Sequence, residues 1–183
     1  MAEGVLARLA AGVGPVPVES ERVDVKEEAG RRDRTGMLLP SGPTNPAAAA
    51  KLADEVRCFA NTPGGGAVVL GVEDGTWEPL GTALDPEWLR QRLDDLTGIA
   101  PVVEERSLRG VRLLLLLVAE SPDPVEDPDR RLRWRVGDRC LEVDRSEWWR
   151  LRADRIGVDP MAAPTPLTAA DVRPDAVRIV RST

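Results

Sequence analysis

The sequence predicts an α+β domain: a mixed β-sheet layered with helices, with hairpins in its second half. Three observations predict it. A short alternating stretch, "RVDVK", stands ahead of a continuous apolar run, "AVVLGV". Two capped segments of helical period, "NPAAAAKLADEVRCFA" and "DPEWLRQRLDDL", lie on either side of that run. Two further strand pairs then fold back at Arg109-Gly110 and Gly137-Asp138. Strands and helices mixed in this order give a sheet covered by helices.

Each element has its own local cause. Residues 3 to 11 read as a short helix, ended by "GVGPVPV". In "RVDVK", Val23 and Val25 take one face, and Arg22, Asp24 and Lys26 take the other, as on a half-buried strand. Residues 29 to 43 are rich in Gly, Pro and charge and read as a loop. Thr44 or Asn45 caps the next helix, and Pro46 suits its first turn. Leu52, Val56 and Phe59 form its apolar stripe, and "NTPGGG" stops it. "AVVLGV" is apolar on both faces, which predicts a central strand. "WEPLG" reads as a short strand after the "EDG" turn. The second helix turns Trp88, Leu89, Leu93 and Leu96 inward. "PVVEERSL" with "VRLLLLLVAE", and "RLRWRV" with "DRCLEV", read as hairpins. A last helix starts behind Asp144, with Glu147 as its capping-box partner. The domain is expected over residues 1–157. Residues 158–183, dominated by Pro, Ala and Thr, read as a linker or docking tail, and the chain reads as an excerpt leading into a further region.

Composition excludes several chemistries. The 183 residues include no histidine and no tyrosine. A Ser-His-Asp triad, a Cys-His pair and any histidine metal site are therefore impossible. An enzyme built on this chain would rely on carboxylates, lysine, arginine or a metal. Cys58 and Cys140 lack metal-site spacing and form no framework; they read as small buried hydrophobes in a reducing cytoplasm. A domain of this size needs no disulfide to fold. The longest apolar run, residues 111–119, is too short to span a bilayer, and the first residues do not read as a signal peptide. A cytoplasmic protein without a membrane partner is expected.

The net charge is −6, yet nine arginines fall between Arg130 and Arg155. The ordinary reading is a solvated, salt-bridged surface, and the sharper one is a patch that faces phosphates. Trp134 lies between Arg133 and Arg135 and would point away from both on a strand. It reads as core, with stacking on a base as the alternative. Trp148 and Trp149 read as helix core and rim.

"CFANTPGGGAVVLGVED", residues 58–74, is the most specific segment. No lysine follows its glycines, so a P-loop fails, and the helix-then-strand order reverses a Rossmann turn. The segment resembles the "AFANT-x-GG-…-LLIGVDD" core of the Schlafen family's AlbA-like domain. "VESERVDVK" resembles that family's opening "GESERLEFK", and "RWRVGD" resembles its "YxRxG" segment. The resemblance spans roughly residues 4–152.

The resemblance implies a domain that handles nucleic acid, RNA or DNA. Its sharper implication is a metal-dependent endoribonuclease acting on tRNA or rRNA. Its other implication is a non-catalytic DNA-binding module of a transcriptional regulator, and a third is a dimerisation domain, so a homodimer is among the expected partners. Carried over by position, Glu19, Asp24 and Asp74 would hold the metal and do the catalysis. Mg²⁺ or Mn²⁺ suits such carboxylates and can supply hydroxide without histidine. Lys26, Arg133, Arg135 and Arg139 would hold phosphates. Glu19 and Asp24 are five apart, so Glu19 must sit before the strand if both are to face one ion. Asp24 replaces the family's usual Glu, Val25 its usual Phe, and one extra residue follows the paired glycines.

Overall fold

The computed structural model describes residues 22–156, together with Gly4, Leu6 and Ala7. The described residues form six strands and three helices in the order β1 (Val23–Lys26), α1 (Pro46–Asn61), β2 (Gly66–Leu70), α2 (Pro86–Thr97), β3 (Val102–Leu108), β4 (Val111–Val118), β5 (Leu132–Val136), β6 (Arg139–Val143) and α3 (Arg145–Ile156). This is the α+β layering that the sequence predicts. Most of the helix expected over 3–11, and the tail expected from 158, lie outside the described residues; Gly4, Leu6 and Ala7 are helical.

Four strands make one sheet in the order β1-β2-β4-β3. β1 runs parallel to β2, with Asp24 beside Val68 and Lys26 beside Leu70. A parallel pair needs a crossover, and α1 supplies it. β2 and β4 are central, as their long apolar runs, Ala67–Leu70 and Leu113–Val118, require. α1 and α2 cover one face, where Val56, Phe59, Val68, Leu70, Leu89, Leu93, Leu114 and Leu116 are fully buried. On the other face Val23, Val25, Val69, Leu113 and Leu115 pack together, with Leu6 against them.

The second hairpin, β5–β6, is a separate two-stranded sheet. Leu132 and Trp134 pack on Trp148 of α3 in a third small core. Trp134 is therefore core and Trp149 rim, with Trp149 46% exposed.

Local chemistry sets the helix ends. Asn45, not Thr44, caps α1, and its side chain accepts from the Ala48 N–H. Asp85 caps α2 in the same way, and Gly98 closes it in the left-handed region. The strand expected at "WEPLG" does not form. Only Val72 bridges to Pro79, and Trp77 turns with φ 63°.

Cys58 and Cys140 correct the sequence reading a second time. They are joined in a disulfide, with Cα atoms 6.0 Å apart. Cys140 sits across from Arg135 on the hairpin, on the strand face that turns toward α1. The partners are 82 residues apart in sequence, and nothing in their spacing signals the pairing.

Candidate functional site

The "FANTPGG" segment joins the layers, and Phe59, Asn61, Thr62 and Gly65, with Gly66 after it, each have a physical task. Phe59 is fully buried, and the Arg135 guanidinium lies over its ring, 4.7 Å from the centroid. Asn61 mimics a strand neighbour: its Nδ2 donates to Val125 O (2.8 Å), and its Oδ1 accepts from Val125 N (2.8 Å). Asn61 O also accepts from Trp148 Nε1 at 3.0 Å, which ties α3 to α1. Thr62 Oγ1 donates to Cys58 O and accepts from the Arg135 N–H. Gly65 has φ 63°, and a Cβ there would lie 2.1 Å from Val118 O. Gly66 leaves room for Phe59, whose ring a Cβ would meet at 2.0 Å.

Above this turn lies a cluster of four charges. Asp24 of β1 is 1% exposed. Its Oδ2 is 2.9 Å from Lys26 Nζ, and its Oδ1 is 3.4 Å from Arg135 Nη2. Glu55 of α1 faces the same cations, 3.9 Å from Lys26 Nζ and 3.7 Å from Arg135 Nη1. Two acids and two bases balance, the arrangement that buried charge requires. Burial foremost, and then the charge of Asp24, raise the Glu55 carboxyl above its ordinary range; Lys26 and Arg135 partly offset this. Cys140 Sγ lies 3.6 Å from Glu55 Oε2, so the disulfide borders the cluster.

The expected site residues are distributed as follows. Glu19 lies outside the described residues. Asp74 is exposed on the turn after β2. Asp24 and Lys26 share a strand face, as their alternation predicts. Arg133 is partly exposed and lies 3.8 Å from Asp127. Arg139 is exposed where β6 begins. Arg135 points inward, because its strand face is the one that packs on α1, and there it holds acids rather than an open surface. Glu55 was not singled out from sequence. Its place on α1, one turn before Cys58, was the only signal available. Much of the arginine-rich window is salt-bridged: Arg131 to Asp127 and Asp129, Arg145 to Glu126, and Arg152 to Glu120.

This cluster offers a cation two carboxylates among the described residues, Asp24 and Glu55, and both already face Lys26 and Arg135. Among the described residues, no three acids or cysteines converge on a point where an ion could sit.

This is an α+β domain built on a parallel β-α-β unit, with a hairpin stapled over a buried charge cluster. The chain belongs to the Schlafen AlbA_2 family, whose sequence pattern matches residues 19–144. It is similar to the crystal structure of the DIP2311 protein from Corynebacterium diphtheriae, with 47% identity and a TM-score of 0.78. That match covers 99% of this chain and 38% of the other, so the chain spans about two fifths of that relative's length. The N-terminal domain of a RecG-related protein from Nitrosomonas europaea is more distant, at 24% identity and a TM-score of 0.40, over 65% of this chain and 72% of that one. No protein of curated function matches. No described helix is long and apolar enough to cross a membrane.

Proposed function

We propose that the chain is a nucleic-acid-binding module of the Schlafen type. Family membership over residues 19–144 carries this reading. The geometry favours binding over metal-dependent cleavage, because the carboxylate of Asp24 is closed off by Lys26 and Arg135. Phosphate contact falls to arginines that remain at the surface, Arg139 foremost, with the partly exposed Arg133 on the other face of the hairpin. Phosphate contacts of this kind give an affinity that falls steeply with salt.

A second reading, a metal-dependent endoribonuclease acting on tRNA or rRNA, has its own support. β1 and β2 are parallel, so Lys26 at the end of one and Asp74 beyond the end of the other lie toward the same, carboxyl, edge of the sheet. Ligands of open sheets bind at that edge. This reading needs Glu19 beside Asp24, and needs Lys26 and Arg135 to give up Asp24 to Mg²⁺ or Mn²⁺.

One experiment separates the two. The purified chain is mixed with labelled duplex DNA or tRNA over a salt series, with and without Mn²⁺, beside Asp74→Ala. Salt-dependent binding without cleavage is expected. Mn²⁺-dependent cleavage that Asp74→Ala abolishes would establish the second reading instead. Absence of binding at every salt concentration overturns both.

A further inference from the structure

We propose that Cys58–Cys140 is a reversible thiol–disulfide site. Its reaction with a small-molecule thiol or a protein dithiol frees the β5–β6 hairpin from α1 and opens the charge cluster beneath. The inference does not depend on the nucleic-acid reading.

The position of the bond carries it. The hairpin shares no strand ladder with the four-stranded sheet. The described ties between the hairpin and the elements beneath it include Arg135 to Asp24 of β1 and to Glu55 and Phe59 of α1, the Arg135 N–H to Thr62 at the end of α1, and the one covalent tie, the disulfide. Arg135 and Cys140 are cross-strand partners. The bond therefore fixes the same rung that presents Arg135 to the two acids. When the bond breaks, that rung keeps the contacts of Arg135 but loses its covalent tie.

The chemistry is also in place. Cys58 is fully buried, whereas Cys140 is partly exposed, so Cys140 is the half of the bond assigned to attack by an incoming thiolate. The sulfur lies 4.0 Å from the Arg135 guanidinium and 3.6 Å from the Glu55 carboxylate, so the bond sits against both signs of the charge cluster. The thiolate forms a bond to Cys140 Sγ, the Cys58–Cys140 bond breaks, and Cys58 leaves as a thiolate that takes up a proton. A second thiol attacks the sulfur of the first thiol and releases Cys140. The net change is two thiols oxidised to one disulfide and one protein disulfide reduced to two thiols. Three apolar clusters hold the chain, so a single cross-link is not needed to build its core.

The test uses the whole chain. It is oxidised with glutathione disulfide or reduced with dithiothreitol, the free thiols are counted after denaturation, and amide hydrogen exchange is followed by mass spectrometry. The oxidised chain is expected to show no free thiol and the reduced chain two. Reduction is expected to speed exchange over residues 132–143 at least tenfold, while 66–70 and 111–118 change less than twofold. Cys140→Ser and Cys58→Ser without reductant are expected to reproduce the reduced pattern. Two free thiols after oxidation, equal exchange in both states, or loss of protection across the whole sheet on reduction would each overturn the proposal.

Discussion

Arg135 and Asp24 face each other at 3.4 Å with both side chains 1% exposed. The pair joins the late hairpin to the first strand, two elements far apart in the chain. Removing Arg135 leaves Asp24 and Glu55 facing Lys26 alone, and one uncompensated buried charge costs about 3–5 kcal/mol. Arg135→Ala is expected to lose stability in that range by urea unfolding. Asp24→Asn in the Arg135→Ala background is expected to recover part of the loss, since Glu55 and Lys26 then balance. Additive losses in the double variant would contradict the pairing.

Glu55 gives the cluster a pH signature. Its carboxyl titrates above the ordinary 4.5, chiefly because it is buried and secondly because Asp24 is near. A group whose folded pKa is raised stabilises most below its unfolded pKa, and that contribution fades as pH rises through the folded pKa. Stability attributable to Glu55 is thus expected to fall from about pH 4.5 upward. Glu55→Gln does not titrate, so the difference between wild type and variant is expected to shift in the variant's favour as pH rises. Asp33, Glu73, Glu87, Glu105, Asp127 and Asp144 are shifted the other way and set an opposite background. Only the difference between the two curves, from urea titrations across pH, reports on Glu55.

Gly66 is fixed by space rather than by backbone angle. A Cβ there would lie 2.0 Å from Phe59 Cδ1. Phe59 has no room to retreat, because Arg135 lies over its ring and the core surrounds it. Gly66→Ala is expected to cost about 1–3 kcal/mol, the range for overpacking. Gly66→Ala with Phe59→Leu is expected to be less destabilised than the two single changes summed, as measured by thermal unfolding.

The elements were legible in sequence because their causes are local. Alternation exposed β1, caps at Asn45 and Asp85 exposed the helices, and turn residues exposed both hairpins. "WEPLG", read as a short strand after the "EDG" turn, makes one bridge, Val72 to Pro79, and Trp77 turns with positive φ. The site was less legible because its causes are non-local. Asp24 and Lys26 could be placed on one face, but their partners Glu55 and Arg135 come from α1 and β5. Strand alternation shows that Arg133 and Arg135 share a face, but not that this face packs on a helix. Glu28 illustrates the same limit. It is 1% exposed and accepts from Ser41, Asn45 and Thr82, gathering three segments that no short window connects.

The paired tryptophans of α3 separate core from rim. Trp148 is fully buried on Trp134, and its Nε1 donates to Asn61 O. Trp149 is 46% exposed and meets Trp148 edge-on at 4.7 Å. Trp148→Ala is expected to cost about 3–5 kcal/mol. Trp149→Ala is expected to change stability much less. Equal losses in chemical denaturation would mean that the third core does not rest on Trp148.

Arg139 tests where nucleic acid meets the hairpin. It is exposed where β6 begins, just beyond the Gly137-Asp138 turn. Arg131 is also at the surface, but its guanidinium is held by Asp127 and Asp129. An arginine that contacts one phosphate displaces about one counterion, so its loss lowers the slope of log affinity against log salt by about 1. Arg139→Ala is expected to weaken duplex binding to the same degree across unrelated sequences and to lower that slope. Arg131→Ala is expected to leave the slope unchanged, because its charge is already neutralised within the protein. Fluorescence anisotropy at several salt concentrations measures both variants. A slope that Arg139→Ala leaves intact would place the phosphates elsewhere on the surface.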